Sequence, residues 1–331
     1  MNVPAHEKAQ RPLPKDRPTR RPRTFRRRLL ESKAVTWISA WYVRFAIGFA
    51  RLLGRRRATA LSAWFTCLIA PLIRENRLAA ANLAAAFPEK SEEERHRILR
   101  GVWDNVARTA IEYAFLDEVL GEFRLHRLDK GPFTATGIED FLRIREDGKP
   151  ALIFSAHLAN WELPAILAER FRLNLTIMYR APRNAMIAAD LMKVRNEMMG
   201  ELIPARFSSA FEIAGIVAKG GHVGLLVDQR RTGSPLLPFF GRPALTSTFF
   251  ATLARQYDCP IHGVRAIRLP GDRFHVEMTP PIDLPRDDEG LIDVIAATQK
   301  INGIVEGWIR EHPEQWLWLH DRWRMTNFTK R

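Results

Sequence analysis

Three short apolar runs in this chain each end on a residue able to do chemistry. ALIFSA (151–156) leads into His157, LTIMY (175–179) into Arg180, and GLLV (224–227) into Asp228. The first is the sharpest, because His157 is followed at a five-residue distance by Glu162, in the order His-Leu-Ala-Asn-Trp-Glu. A carboxylate on one imidazole nitrogen fixes the tautomer and stabilises the imidazolium, leaving the other nitrogen free to take a proton from an alcohol. The spacing spans a strand-to-helix corner and is expected to fold Glu162 back onto His157. No suitably placed Ser or Cys nucleophile stands in the motif, which favours direct attack by a substrate hydroxyl. Attack on a thioester builds charge on the carbonyl oxygen, and Arg180 is placed to stabilise it. Asp228 then either holds Arg180 or binds the acceptor. A lone His-x4-Glu is weak evidence. Its weight comes from Arg180 and Asp228 at equivalent strand ends. His157 and Glu162 lack a third ligand at metal spacing, so neither a metal nor a cofactor is expected.

These positions need a scaffold that brings strand ends together. After Gly148, short apolar runs alternate with helical segments. Strands are expected at 151–155, 175–179 and 224–227, with helices at 160–170, 185–199 and 209–218 between them. A helix at 246–256 precedes two strands, 261–267 and 274–279, joined at Pro270-Gly271-Asp272. A last helix covers 291–312. Upstream, 75–120 reads as helices broken at Pro88, with Ser91 as N-cap. The expected fold is α/β, a mixed central sheet covered by helices on both faces. In such sheets ligands gather outside the carboxyl ends of the strands.

The chain has 331 residues and a formal charge of +14, and 46% of it is hydrophobic, enough for a substantial core. Residues 1–33 hold eleven Lys/Arg against three Asp/Glu, together with five prolines. They read as a basic disordered tail. The stretch 34–57 follows, expected to be a membrane-associated amphipathic helix. AVTWISAWYVRFAIGFARLL has the length of a span, but Arg44 stands at its middle and basic clusters flank both ends. Thr36, Ala40, Arg44, Gly48, Arg51 and Arg55 form one helical stripe, and Trp37, Trp41, Phe45 and Phe49 an aromatic one. Such a helix would lie on an anionic bilayer with its arginines snorkelling. Packing on the protein's own domain is the competing reading. The apolar stretch 58–73 is either a core helix or an extension of the same surface. Cys67 and Cys259 form no CxxC and read as reduced thiols.

SAHLANWE, at 155–162, resembles the His-x4-Asp/Glu motif of the bacterial lipid A late acyltransferases, the lauroyl/myristoyl family of lipopolysaccharide biosynthesis. NLAAAFPEKSEEE (82–94), MYRAPRN (178–184), LLVDQR (225–230), LPFFGRPALTSTFFATLAR (237–255) and HPEQWLWLHDRWR (312–324) also fit, in order, over about 60–325. The likeness implies an acyltransferase domain over 58–331 at the cytoplasmic face of the inner membrane. The donor would be an acyl carrier protein thioester and the acceptor a hydroxyl on a Kdo-bearing lipid A precursor. Catalytic roles would fall to His157, Glu162, Arg180 and Asp228. Asn160, Arg183, Arg206, Arg230, Arg231, Arg322 and Arg324 are candidate contacts to acidic substrate groups or an acidic carrier. Asp321 stands where the family usually has Arg, which puts that position's role in doubt. Trp316, Trp318 and Trp323 are at least as well suited to core packing as to substrate contact.

Alternatives stay open at this level. The acceptor could be another glycolipid or a phospholipid, and the donor a coenzyme A thioester. The basic tail raises nucleic-acid binding, but no helix-turn-helix, RNP or zinc motif accompanies it.

Overall fold

The computed structural model describes residues 33–121, 133–180, 184–206 and 208–323. The basic tail, apart from Lys33, lies outside them. The chain begins with helices α1 (Lys33–Leu53), α2 (Arg55–Ile69), α3 (Arg74–Ala86), α4 (Glu92–Glu112) and α5 (Leu116–Gly121). Ser91 caps α4 as expected: its Oγ accepts from the Glu94 N–H and the Glu94 carboxylate accepts from the Ser91 N–H.

From there, strands and helices alternate: β1 (Phe133–Thr136), α6 (Ile138–Glu146), β2 (Leu152–Ser155), α7 (Leu163–Arg170), β3 (Leu175–Tyr179), α8 (Ala185–Met198), β4 (Leu202–Pro204), α9 (Ser209–Ala218) and β5 (His222–Leu226). A hairpin of β6 (Leu236–Phe239) and β7 (Arg242–Leu245) precedes α10 (Phe249–Tyr257), β8 (Ile261–Leu269), β9 (Arg273–Met278) and α11 (Val294–Glu311). The seven-stranded sheet has the order β1-β9-β8-β2-β5-β3-β4. All its pairings are parallel except β8–β9. The sheet is mixed, as expected, with helices on both faces. The expectation missed β1, β4, the β6–β7 hairpin and α6.

Alternation along the strands divides the core. Leu152 and Phe154 of β2 join Ile213, Val217, Phe250 and Trp308 on one face. Ile153 points the other way, with Ala168, Leu173, Leu175 and Met278. Trp316 and Trp318 are fully buried in the first cluster, so they are core residues, as the alternative reading held.

The N-terminal helix touches the protein along part of its polar stripe, while Arg44, Gly48 and Arg51 stay exposed. Ala40 is buried, Arg44 pairs with Asp190 of α8 at 2.9 Å, and Arg51 donates to the Ala114 carbonyl at 3.2 Å. Both arginines are exposed and also have these partners in the protein. The aromatic stripe faces outward, with Trp37, Trp41, Phe45 and Phe49 all exposed. α2 adds Leu61, Trp64, Phe65 and Leu68 to the exposed apolar surface, while Ala58, Thr59 and Ala63 are buried. No described helix is long and apolar enough to cross a membrane.

Candidate active site

β2 and β5 lie side by side with Ser155 opposite Leu226. His157 and Asp228 each stand two residues beyond that rung, so parallel pairing brings them face to face. His157 Nδ1 lies 2.8 Å from Asp228 Oδ1, and the His157 backbone N–H donates to Asp228 Oδ2 at 2.8 Å. Trp316 Nε1 donates to the same oxygen at 2.7 Å. Burial pushes the Asp228 carboxyl up. The imidazole, the His157 N–H and the Trp316 indole outweigh it and hold the group down at about 2. A carboxylate there fixes the proton on Nδ1 and leaves Nε2 as the acceptor. Gln229 Nε2 occupies that acceptor at 3.1 Å.

Glu162 is not the partner of His157, contrary to expectation. Trp161 packs against the imidazole at 5.2 Å between ring centroids and donates Nε1 to Glu162 Oε1 at 3.1 Å. Both Glu162 oxygens bond the Arg195 guanidinium of α8. The loop between His157 and Glu162 is fixed so that the carboxylate turns toward α8. Ala159 takes a left-handed φ of 47°. Its N–H donates to the Gln315 carbonyl at 2.9 Å, and its own carbonyl accepts from Asn105 Nδ2 and Thr109 Oγ1. Asn160 is fully buried and donates to Glu112, which is ion-paired with Arg268. Asn160 therefore holds the loop, and it is not among the residues lining the neighbouring cavity.

A cavity of about 500 Å³ opens beside His157 and runs along the sheet face. Ser155, Tyr179, Leu226, Gln229, Arg180, Arg230 and Arg231 line the end nearest the strand termini. Ile153, Leu175 and Gly224 lie deeper along the strands, together with Phe141, Leu173 and Met278. Glycine at 224 keeps the wall thin, since a Cβ there would meet Leu175 Cδ2 at 3.1 Å.

The arginine candidates separate. Arg180, Arg230 and Arg231 line the cavity. Arg206 is exposed and does not line it. Arg322 is fully buried, donates to the Leu245 carbonyl and Thr246 Oγ1, and sits over the Phe239 ring. It is a core strut, and the expectation of substrate contact is corrected. Arg183 and Arg324 lie outside the described residues. Sequence reasoning missed Gln229, Trp316 as a donor to Asp228, and Arg195 as the partner of Glu162. Gln229 follows Asp228 directly, and consecutive side chains at a strand end point to opposite sides. That was the available signal. Among the described residues, no three His, Cys, Asp or Glu side chains are grouped to hold a metal ion.

A family model described as bacterial lipid A biosynthesis acyltransferase matches residues 25–325. It extends the likeness through α1 and α2. A lipid A biosynthesis palmitoleoyltransferase of Escherichia coli (strain K12) is 24% identical over 272 residues, 76% of this chain and 80% of its own length. A lipid A biosynthesis acyltransferase of Shigella flexneri matches with the same figures. Lipid A biosynthesis acyltransferase 2 of Shigella flexneri is 24% identical over 261 residues, 74% of this chain and 76% of its own.

Proposed function

The chain belongs to the bacterial lipid A biosynthesis acyltransferase family, and on that premise we propose that it moves a fatty acyl chain from a thioester to a hydroxyl of a lipid A precursor. The observation that carries this reading is the apolar cavity ending at His157 Nε2. A hydrocarbon chain fits a cleft of that size and lining. The carbonyl would then sit at the strand ends, beside the imidazole.

In the proposed mechanism His157 Nε2 takes the proton of the attacking hydroxyl while Asp228 holds Nδ1. Arg180, Arg230 and Arg231 give the opening a positive field. That field suits the phosphate of a pantetheine thioester arm, an acidic carrier protein and an anionic acceptor. Acyl carrier protein is the proposed donor. The enzyme would work at the cytoplasmic face of the inner membrane. What supports this is the exposed aromatic side of α1 and α2, an apolar patch of the kind that marks a membrane or partner contact. Arg44 and Asp190 join α1 to α8, and Arg195 of α8 lines the cavity, so α8 lies between the helix that bears the patch and the cavity.

Mass spectrometry of lipid A from cells with and without the chain tests the reading. We expect a mass difference of one acyl group that a His157→Ala chain does not restore. An unchanged lipid A together with acylation of another lipid would assign a different acceptor.

A further inference from the structure

Asp228 and Gln229 are consecutive, yet they meet opposite nitrogens of one imidazole. Asp228 Oδ1 takes Nδ1 at 2.8 Å and the Gln229 amide takes Nε2 at 3.1 Å. With Asp228 an acceptor only, Nδ1 carries the hydrogen and Nε2 offers a lone pair. The Gln229 amide must present its N–H₂ to that lone pair, since the reverse orientation would set oxygen against nitrogen, both acceptors. The position a general base needs for its substrate is therefore filled by a side chain in the free enzyme.

We propose that Gln229 is a catalytic residue that caps His157 Nε2 until an acceptor hydroxyl displaces it, and then donates the freed N–H to the thioester carbonyl oxygen as charge develops there. This rests on the reading of His157 as general base. A hydroxyl poised for deprotonation must sit roughly 2.6–3.2 Å from Nε2, where the amide now lies. The carbonyl under attack is bonded to that hydroxyl oxygen in the intermediate, so its oxygen forms within reach of the displaced amide. Several neighbouring donors are committed, and the Ser155 hydroxyl, which lines the same end of the cavity without a hydrogen-bond partner among the described residues, is the donor that competes with Gln229. The N–H of His157 serves Asp228, that of Ala159 serves Gln315, and that of Arg230 serves His320. The Trp161 and Trp316 indoles serve Glu162 and Asp228. Arg180 is exposed, where water weakens its field.

The cycle balances. The hydroxyl proton passes to Nε2 as the O–C bond forms and the carbonyl electron pair moves onto oxygen, facing Gln229. Protonated Nε2 now repels an N–H donor, which keeps the amide on the oxyanion. The electron pair returns, the C–S bond breaks, and the imidazolium gives its proton to the departing thiolate. Neutral Nε2 then accepts the amide again. While capped, Nε2 is also denied to water, so the thioester is spared until an acceptor arrives.

The test uses the full chain with a dodecanoyl thioester of acyl carrier protein and a Kdo-bearing lipid A precursor in detergent. Gln229→Leu and Gln229→Glu keep the size and remove the donor. Each should lower kcat by ~10²–10³-fold, the usual cost of one oxyanion donor, with a much smaller change in KM. Gln229→Ala should also raise the ratio of thioester hydrolysis to acyl transfer. Transfer by both same-size variants within about twofold of wild type would overturn the proposal, since a donor to the oxyanion is worth far more. If His157→Ala is inactive in that case, the general-base reading survives. A fully active His157→Ala would remove both.

Discussion

His157 Nδ1 and Asp228 Oδ1 lie 2.8 Å apart because the strands that end on them are neighbours. A base and its orienting carboxylate act as a unit. Asp228→Asn should lower kcat by ~10³–10⁴-fold, since an amide no longer enforces the productive tautomer. The His157→Ala/Asp228→Asn double variant should be little worse than His157→Ala alone. Steady-state kinetics of the three proteins decides this, and multiplicative losses would show that the two residues work independently.

Glu162 answers to Arg195. Their side chains are only 6% and 14% exposed. Glu162→Gln leaves a buried guanidinium short of its counter-charge, which typically costs ~3–5 kcal/mol. Adding Arg195→Met should recover part of that loss. Denaturant titration of the two single variants and the double gives the coupling energy. A coupling near zero would mean the pair contributes no net stability.

Gly224 is expected to set the room for the acyl chain. Val at 224 would press on Leu175 and Ile177 and push its branches into the cavity. One methylene in an apolar pocket is worth ~1–3 kcal/mol, or ~10–200-fold in selectivity. Gly224→Val should shift the preferred donor to shorter chains by at least the lower figure. Competition between thioesters of different length measures it. An unchanged preference would place the chain elsewhere.

The sheet and the strand-end site were legible because buried parallel strands are short apolar runs, and His157, Arg180 and Asp228 each follow one. The wrong partner for His157 has a physical cause. Sequence distance favoured Glu162, while sheet order decided for Asp228, 71 residues away. Nothing in the local spacing reveals that β2 and β5 are neighbours. The left-handed Ala159 and the Trp161 ring, which turn Glu162 toward α8, are likewise products of tertiary packing. In α1 the period of the two stripes was legible, but not which stripe faced the protein. That depended on distant partners, Asp190 at 146 residues and Ala114 at 63.

The exposed aromatics of α1 should govern attachment to bilayers. Trp41→Glu with Phe45→Glu is expected to weaken binding to anionic vesicles and slow acylation of vesicle-embedded acceptor, with detergent-dispersed acceptor affected far less. Arg44→Ala should act differently. It removes a solvent-exposed ion pair, of a kind that adds little stability, so vesicle binding should change little. Vesicle flotation and the ratio of the two activities check both. Equal losses in detergent and on vesicles would make this surface part of the catalytic domain's own packing.

His320 is held neutral, because burial lowers it from the usual 6.5 to about 4, and it accepts the Arg230 N–H. In the unfolded chain it takes a proton at higher pH than in the folded one. It therefore adds stability above pH ~6.5 that is lost as pH falls toward about 4. Thermal melts across that window should decline with acid, and His320→Gln should reduce the slope. His222 and His262, also lowered by burial, should keep part of it. An identical slope in the variant would remove His320 from the effect.

The bond between Arg44 and Asp190 also sets an order in time. Arg44 is synthesised 146 residues before its partner, roughly 7–30 s earlier at 5–20 residues per second. Through that interval Arg44 has no α8 to meet, while the tryptophans are exposed, as they remain in the folded chain. The nascent helix is then apolar on one side and unmatched on the other, a state in which chains aggregate or seek a chaperone or a lipid surface. The ribosome thus offers the aromatic face to its surroundings well before the catalytic half exists; packing on Ala58, Ala114 and Phe115 seats the end of α1 first, and docking α8 completes the seat of its middle.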